Sequence, residues 1–236
     1  MNRIEMSKKA QFLVTLITFV ILGACFKVMV LIDGFTEVRP VNAVPVPAGL
    51  LFGTTGSMAC AVGNLISDCF GTLGASSILG FLGNFISAYL PYRLWYLYTE
   101  NEPDVHSFRK LGLYIWVTFV AAVAASWMIA TGVWLIFQEW IRGFSLIIFM
   151  NDMVFPVLFG LPVFIVLTSD SVGVRSVGAP KSLLPVAVKY RRKMVPVYTL
   201  LLVILTVMTG IGNAELILPA RVLSVPAIVL TLLLVL

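Results

Sequence analysis

Residues 43–70 read AVPVPAGLLFGTTGSMACAVGNLISDCF. Two apolar, glycine-rich runs, about Ala43 to Phe52 and Ser57 to Phe70, flank a turn at Gly53-Thr54-Thr55-Gly56. A helix needs roughly 20 apolar residues to cross a bilayer, and neither run has them. They predict two short membrane segments, tilted or partly re-entrant. Protein must shield such segments, because backbone polar groups cannot face lipid unpaired. Gly56, Cys60, Asn64 and Asp68 recur every fourth residue, which places them on one helical face. That face begins small, which permits close helix contact, and turns polar toward its outer end.

The rest of the chain sets this stretch in a membrane. Of its 236 residues, 60% are hydrophobic and only 11% charged, where soluble domains carry about 25% charged residues. Mean hydropathy is +1.02. A cytosolic enzyme, a secreted module and a disordered regulator are excluded. The expected fold is an all-α, polytopic helical membrane protein. Further spans are expected at about Ala10 to Ile32, Ala75 to Tyr98, Leu111 to Phe137, Phe144 to Leu167 and Val195 to Ile211. The apolar run of the first span continues past Cys25, which argues against a cleaved signal. Leu223 to Leu236 is too short to cross comfortably, as in a chain that continues. Thr168 to Lys193 reads as a connection ending in Lys189-Tyr190-Arg191-Arg192-Lys193.

Charge orients these spans. With the N-terminus inside, twelve of the 16 Lys and Arg residues fall on the cytoplasmic side. Arg39, Arg142 and Arg221 fall outside, and Lys27 lies within the first span. This is the bias of the positive-inside rule, so the net charge of +5 reports topology and not nucleic-acid binding. The plasma membrane is the expected location.

Ionisable groups at membrane depth default to functional candidates. They are Lys27, Asp68 and Asp152. Lys27 could snorkel outward or pair with Asp33, Asp68 or Asp152. Asn151 and Asp152 precede Pro156 and Pro162, each of which removes a backbone donor and predicts a bend. A bent helix with two adjacent polar groups can form a pocket wall, or can simply stabilise its own kink. Glu37, Arg39 and Asn42 lie in the first outer loop. The planar guanidinium of Arg39 suits a carboxylate or phosphate, although a charge pair with Glu37 would serve as well. His106 is the single histidine and reads as a solvated loop residue. Cys25, Cys60 and Cys69 have neither disulfide nor metal spacing. There is no P-loop, H-E-x-x-H or G-x-S-x-G motif. The chain therefore cannot hydrolyse ATP itself, no cofactor is expected, and an enzyme acting through Asp68 and Asp152 is the weakest reading.

The stretch from Glu37 to Tyr96 carries a family resemblance. It holds Glu37-Val38-Arg39-Pro40-Val41-Asn42-Ala43-Val44-Pro45, then Gly49-Leu50-Leu51-Phe52-Gly53-Thr54-Thr55-Gly56. Gly63-Asn64-Leu65-Ile66-Ser67-Asp68 and Gly80-Phe81-Leu82-Gly83-Asn84-Phe85 follow. This resembles the S-components of energy-coupling factor (ECF) transporters. The resemblance implies a six-helix membrane module over residues 1–170 that binds a vitamin, a precursor or a similar micronutrient at its outer side. It also implies partners, a coupling transmembrane subunit with two ATPase subunits. By position, Glu37, Arg39, Asn42, Asn64, Asp68, Asn84, Asn151 and Asp152 would bind the substrate. Asn2 stands where the metal-transporting branch has a histidine, which argues against nickel or cobalt. The Ala-x-x-x-Ala-like pair common on the family's first helix is missing there. Residues 171–194 would be a basic cytoplasmic connection, and 195–236 an additional C-terminal membrane hairpin. Those extra runs suggest an alternative, the membrane-embedded ligand-sensing input domain of a larger signalling protein.

Overall fold

Ser7 opens the first helix, α1 (Lys8–Cys25), by accepting a hydrogen bond from the Ala10 N–H at 3.2 Å. The computed structural model describes residues 4–26, 30–32, 36–71, 73–138, 141–170, 173–181, 188–211 and 213–235. It is an all-α polytopic membrane fold with one short β ribbon. The first span is shorter than expected: α1 ends at Cys25, and Val30–Ile32 (β1) pairs antiparallel with Thr36–Glu37 (β2). β-Branched Val30 and Ile32 favour that extended pairing over a longer helix. Lys27 and Asp33 lie outside the described residues.

The glycine-rich stretch forms α2 (Pro45–Asp68), which is broken at Gly53 by φ 54° and ψ −132°. The chain reverses there. A straight helix would set Ala48 about 12 Å from Gly56, yet a Cβ added at Gly56 would lie 2.3 Å from the Ala48 carbonyl oxygen. The two halves, 45–52 and 54–68, are thus antiparallel, and the expected re-entrant pair turns at one residue instead of four. Positive φ favours glycine at that residue. A side chain would also collide, since its Cβ would sit 2.9 Å from both the Tyr92 ring and Val177. Gly49 is equally constrained, because the Ala88 carbonyl occupies the space of its missing Cβ.

The half from 45 to 52 rises only about 12 Å, less than the roughly 30 Å of hydrocarbon. The segment 173–181 meets its tip. The Val177 N–H donates to the Leu51 carbonyl at 3.0 Å, covering a helix-end acceptor that would otherwise lack a partner. The Tyr92 hydroxyl donates to the Gly178 carbonyl at 2.9 Å. Ile4 bridges Val174 on the same side, so the hairpin tip points toward the N-terminal face.

Four elements complete the expected six-segment module with α1 and α2: α3 (Ser76–Tyr98), α4 (Phe108–Phe137), α5 (Phe144–Phe155) and α6 (Leu161–Leu167). Between α5 and α6 a wide π turn spans Pro156–Gly160. It realises the bend expected from Pro156 and Pro162. The buried Tyr114 hydroxyl anchors it by donating to the Pro156 carbonyl at 3.1 Å.

Two boundaries differ downstream. The basic run Lys189 to Lys193 belongs to α7 (Val188–Ile211) and not to a connection. Lysine and arginine are good helix formers, and Arg191 turns inward. The last helix, α8 (Ile217–Val235), starts six residues before the expected run and has 19 residues, about 28 Å. Arg221 can sit inside it because its guanidinium lies 4.0 Å from the Trp134 ring centroid. This C-terminal pair is no appendage. Tyr198, Leu202 and Leu205 of α7 and Ala227 of α8 share one buried core with Leu90 and Leu94 of α3 and Val117 and Val120 of α4.

Five helices are long and apolar enough to cross a membrane, α2 being the one that doubles back. Their outer faces are apolar too. Leu13, Ile17 and Ile21 of α1, and Val197, Leu200 and Ile204 of α7, are exposed, as expected of surfaces that lipid covers.

Candidate functional site

The reversal at Gly53 brings the start of the hairpin, with Arg39 and Asn42 just before it, beside its end at Asn64 and Asp68. Had residues 45–64 run straight, about 30 Å would separate these groups. Instead the Arg39 Nη2 donates to Asn64 Oδ1 at 2.6 Å. Asn64 is fully buried and acts as a bridge. Its Oδ1 also accepts from Asn84 Nδ2 at 3.0 Å, and its own Nδ2 donates to Asp68 Oδ2 at 3.0 Å. The close approach of α3 at this level depends on Gly80, where an added Cβ would lie 2.4 Å from Asn64 Nδ2.

A second branch reaches α5. The backbone N–H of Arg39 donates to Asn151 Oδ1 at 3.3 Å, and Asn42 Nδ2 donates to Asp152 Oδ1. Ser87 of α3 also hydrogen-bonds Asp152, and Arg39 lies close enough to act on it electrostatically. Asn42 Oδ1 is a buried acceptor with no hydrogen-bond partner. The π turn after α5 helps hold this arrangement, because Gly160 packs against the Ala43 carbonyl.

These residues surround a cavity of about 50 Å³, room for a few waters or a small polar group. Arg39, Asn42, Asp68, Asn84, Asn151 and Asp152 line it, and Asn64 stands behind them as the bridge. Seven of the eight residues expected from sequence are therefore brought together, and the side chain of the eighth, Glu37, lies outside the described residues. Ile129 and Val133 of α4 with Phe144 and Ile148 of α5 supply an apolar wall. Sequence reading missed Ser76, Gly80, Gly83 and Ser87, which also line the cavity. The signal was present: Ser76, Gly80 and Asn84 recur at four residues and Ser87 follows at three, tracing one face of α3.

The cavity offers one guanidinium, two carboxyl groups and several amides, held at fixed positions by mutual hydrogen bonds. Such a set can recognise a small molecule with both donor and acceptor edges. No group of three or more His, Cys, Asp or Glu among the described residues could hold a metal ion. His106 is half-exposed in its loop beside Asp104, far in sequence from every lining residue. Cys25 and Cys69 are exposed, Cys60 is buried, and all three are free thiols.

No protein-family model matches this chain, and no curated protein or solved structure matches it.

Proposed function

We propose that this chain is a membrane substrate-binding component. It takes up a small polar micronutrient on the face opposite its N-terminus and hands it to separate coupling and ATPase subunits, as ECF S-components do. The observation that carries this reading is the convergence of Arg39, Asn42, Asn64, Asp68, Asn84, Asn151 and Asp152 on one cavity. They come from sequence positions up to 113 residues apart. A buried network of this kind is costly unless fully satisfied, and a bound polar ligand would complete it at Asn42 Oδ1. The apolar wall from α4 and α5 would take the ligand's non-polar face.

Purified protein should show ligand-dependent thermal stabilisation with one compound class in a panel of vitamins, vitamin precursors and nucleobases. Asp152→Asn should weaken that response at least about tenfold while leaving the ligand-free melting temperature within a few degrees. A flat response across the panel would count against this reading.

A second reading, a ligand-sensing input module, is favoured by the packing of α7 and α8. The site helix α3 carries Asn84 and Ser87 and shares its core with Tyr198 and Leu202 of α7. A ligand-driven movement of α3 would thus reach the C-terminal pair directly. Transport of the bound compound into proteoliposomes only with added coupling and ATPase subunits supports uptake. Ligand-dependent change at α7 without transport supports sensing.

A further inference from the structure

At the N-terminal face a second cavity, of about 120 Å³, lies between α3, α7 and the segment 173–181. Arg93 of α3 and Arg191 of α7 both line it, with Tyr96, Pro180 and Leu234. Each arginine is only 6% exposed, and they are close enough that each feels the other's charge. Burying two like charges side by side is unfavourable on both counts, desolvation and repulsion. Among the described residues, none that lines this cavity carries a carboxylate. Arg93 Nη1 donates to the Lys181 carbonyl at 2.9 Å, which engages one of the five N–H donors a guanidinium has.

The location adds a second argument. Arg93 sits five residues before the end of α3, about 8 Å along the axis, and Arg191 is in the first turn of α7. Arg192 is nearby, donating through Nε to the Leu97 carbonyl at 2.5 Å. Lys189, Arg192 and Lys193 are exposed around the mouth. This is the depth of lipid headgroups, on the face with most of the positive charge. Basic pockets between membrane helices at such positions bind anionic headgroups, and paired guanidinium groups match the geometry of phosphate oxygens.

We propose that Arg93 and Arg191 form a binding site for a phosphate-bearing anion, distinct from the polar cavity at the opposite face. The anion is either the headgroup phosphate of an acidic membrane lipid or a free phosphate, and both meet the same two guanidinium groups.

The test uses the full chain in a phosphate-free glycoside detergent. Phosphatidylglycerol, inorganic phosphate and an uncharged diacylglycerol are added separately. Melting temperature and bound lipid, counted by native mass spectrometry, are read in each case. Phosphatidylglycerol should raise the melting temperature by several degrees and remain bound, and diacylglycerol should do neither. If inorganic phosphate protects as well as the lipid does, the source is a soluble anion. If only the lipid protects, it is the headgroup. Arg93→Gln and Arg191→Gln should each weaken phosphatidylglycerol binding about tenfold or more. Should either glutamine variant fail to fold, Arg93→Lys and Arg191→Lys retain charge but lose the planar fork, and should still bind more weakly than the parent. Equal melting with phosphatidylglycerol and diacylglycerol overturns the proposal, as it would if the chain's own carboxylates already neutralised the pair. Undiminished lipid binding by the double glutamine variant overturns it too.

Discussion

The two buried polar regions of this protein handle charge in opposite ways. At the end opposite the N-terminus, Arg39 is joined to Asp68 through the amide of Asn64, and Asp152 is held by Asn42. Cation and anions are present together, with asparagine amides as spacers. At the N-terminal end, Arg93 and Arg191 share a cavity whose described lining has no acid. Helix dipoles and burial do not distinguish the two places. What differs is whether the chain supplies both signs of charge. A region with both can hold its shape empty and discriminate among ligands by hydrogen bonding. A region with one sign depends on something external to neutralise it.

The hairpin is what assembles the first region, so breaking it should have the largest effect. Gly53→Val places a β-branched side chain at φ 54° and against Tyr92 and Val177. The strain and overlap together should cost about 3 kcal/mol or more, a large share of ordinary stability. Folded yield and melting temperature should fall sharply. Gly112→Ala is the matched control: nothing lies within 4 Å of the added Cβ, and melting should hold or rise slightly.

Next in size is the bridge. Asn64→Ala removes an oxygen that accepts from Arg39 and Asn84, and an N–H that serves Asp68. The loss should be about 3 kcal/mol, as for other buried charge networks broken at one member, read as a fall in thermal stability without ligand. Preserved stability together with lost ligand response would instead make Asn64 a pure ligand contact.

The contrast between the two ends can then be measured directly. Arg39→Gln should destabilise the ligand-free protein by about 2 kcal/mol, because two carboxyl groups lose their nearby cation. Arg93→Gln in lipid-free detergent should cost under about 1 kcal/mol, since it relieves repulsion from Arg191 and its amide can still donate to the Lys181 carbonyl. Equal losses from chemical or thermal unfolding would erase the distinction drawn between the two ends.

Much of the first region could be read from sequence, and the reason is physical. Polar side chains in apolar runs are rare because they are expensive, so Asn64, Asp68, Asn84 and Asp152 announced themselves by type alone. The reversal at Gly53 was legible because neither flanking run was long enough to cross. Ser87 and Gly80 were not singled out, because small residues are common in membrane helices and carry a weak signal. The second region was hidden for a different reason. Arg93 read as a member of an aromatic belt, and Arg191 as one charge in a basic run. Only the inward turn of α7's first residues and the packing of α7 on α3 bring the two together. Helix boundaries near charges were the least legible. Arg221 looked like a loop residue until Trp134 was seen beneath it.

A solvent-facing ion pair supplies the lower end of the scale. Asp104, in the loop before α4, accepts from Lys110 Nζ and, at 3.1 Å, from the His106 backbone N–H. Burial alone would raise its pKa, but the Lys110 hydrogen bond, the His106 N–H and both positive charges outweigh it and hold the carboxyl below its ordinary value. Its unfolded pKa is about 3.9. A carboxyl lowered by folding adds its full stability above that value and loses it as pH falls through the folded pKa. Asp104→Asn should therefore cost no more than about 1 kcal/mol at neutral pH, since water screens the pair. The gap between variant and parent should close below about pH 4. Salt should narrow it as well, because exposed pairs are screened within a Debye length. The Arg39→Gln loss should resist the same salt, since its partners lie in a buried cavity that mobile ions do not fill. A salt response as large for Arg39 as for Asp104 would mean that the polar cavity stands open to solvent.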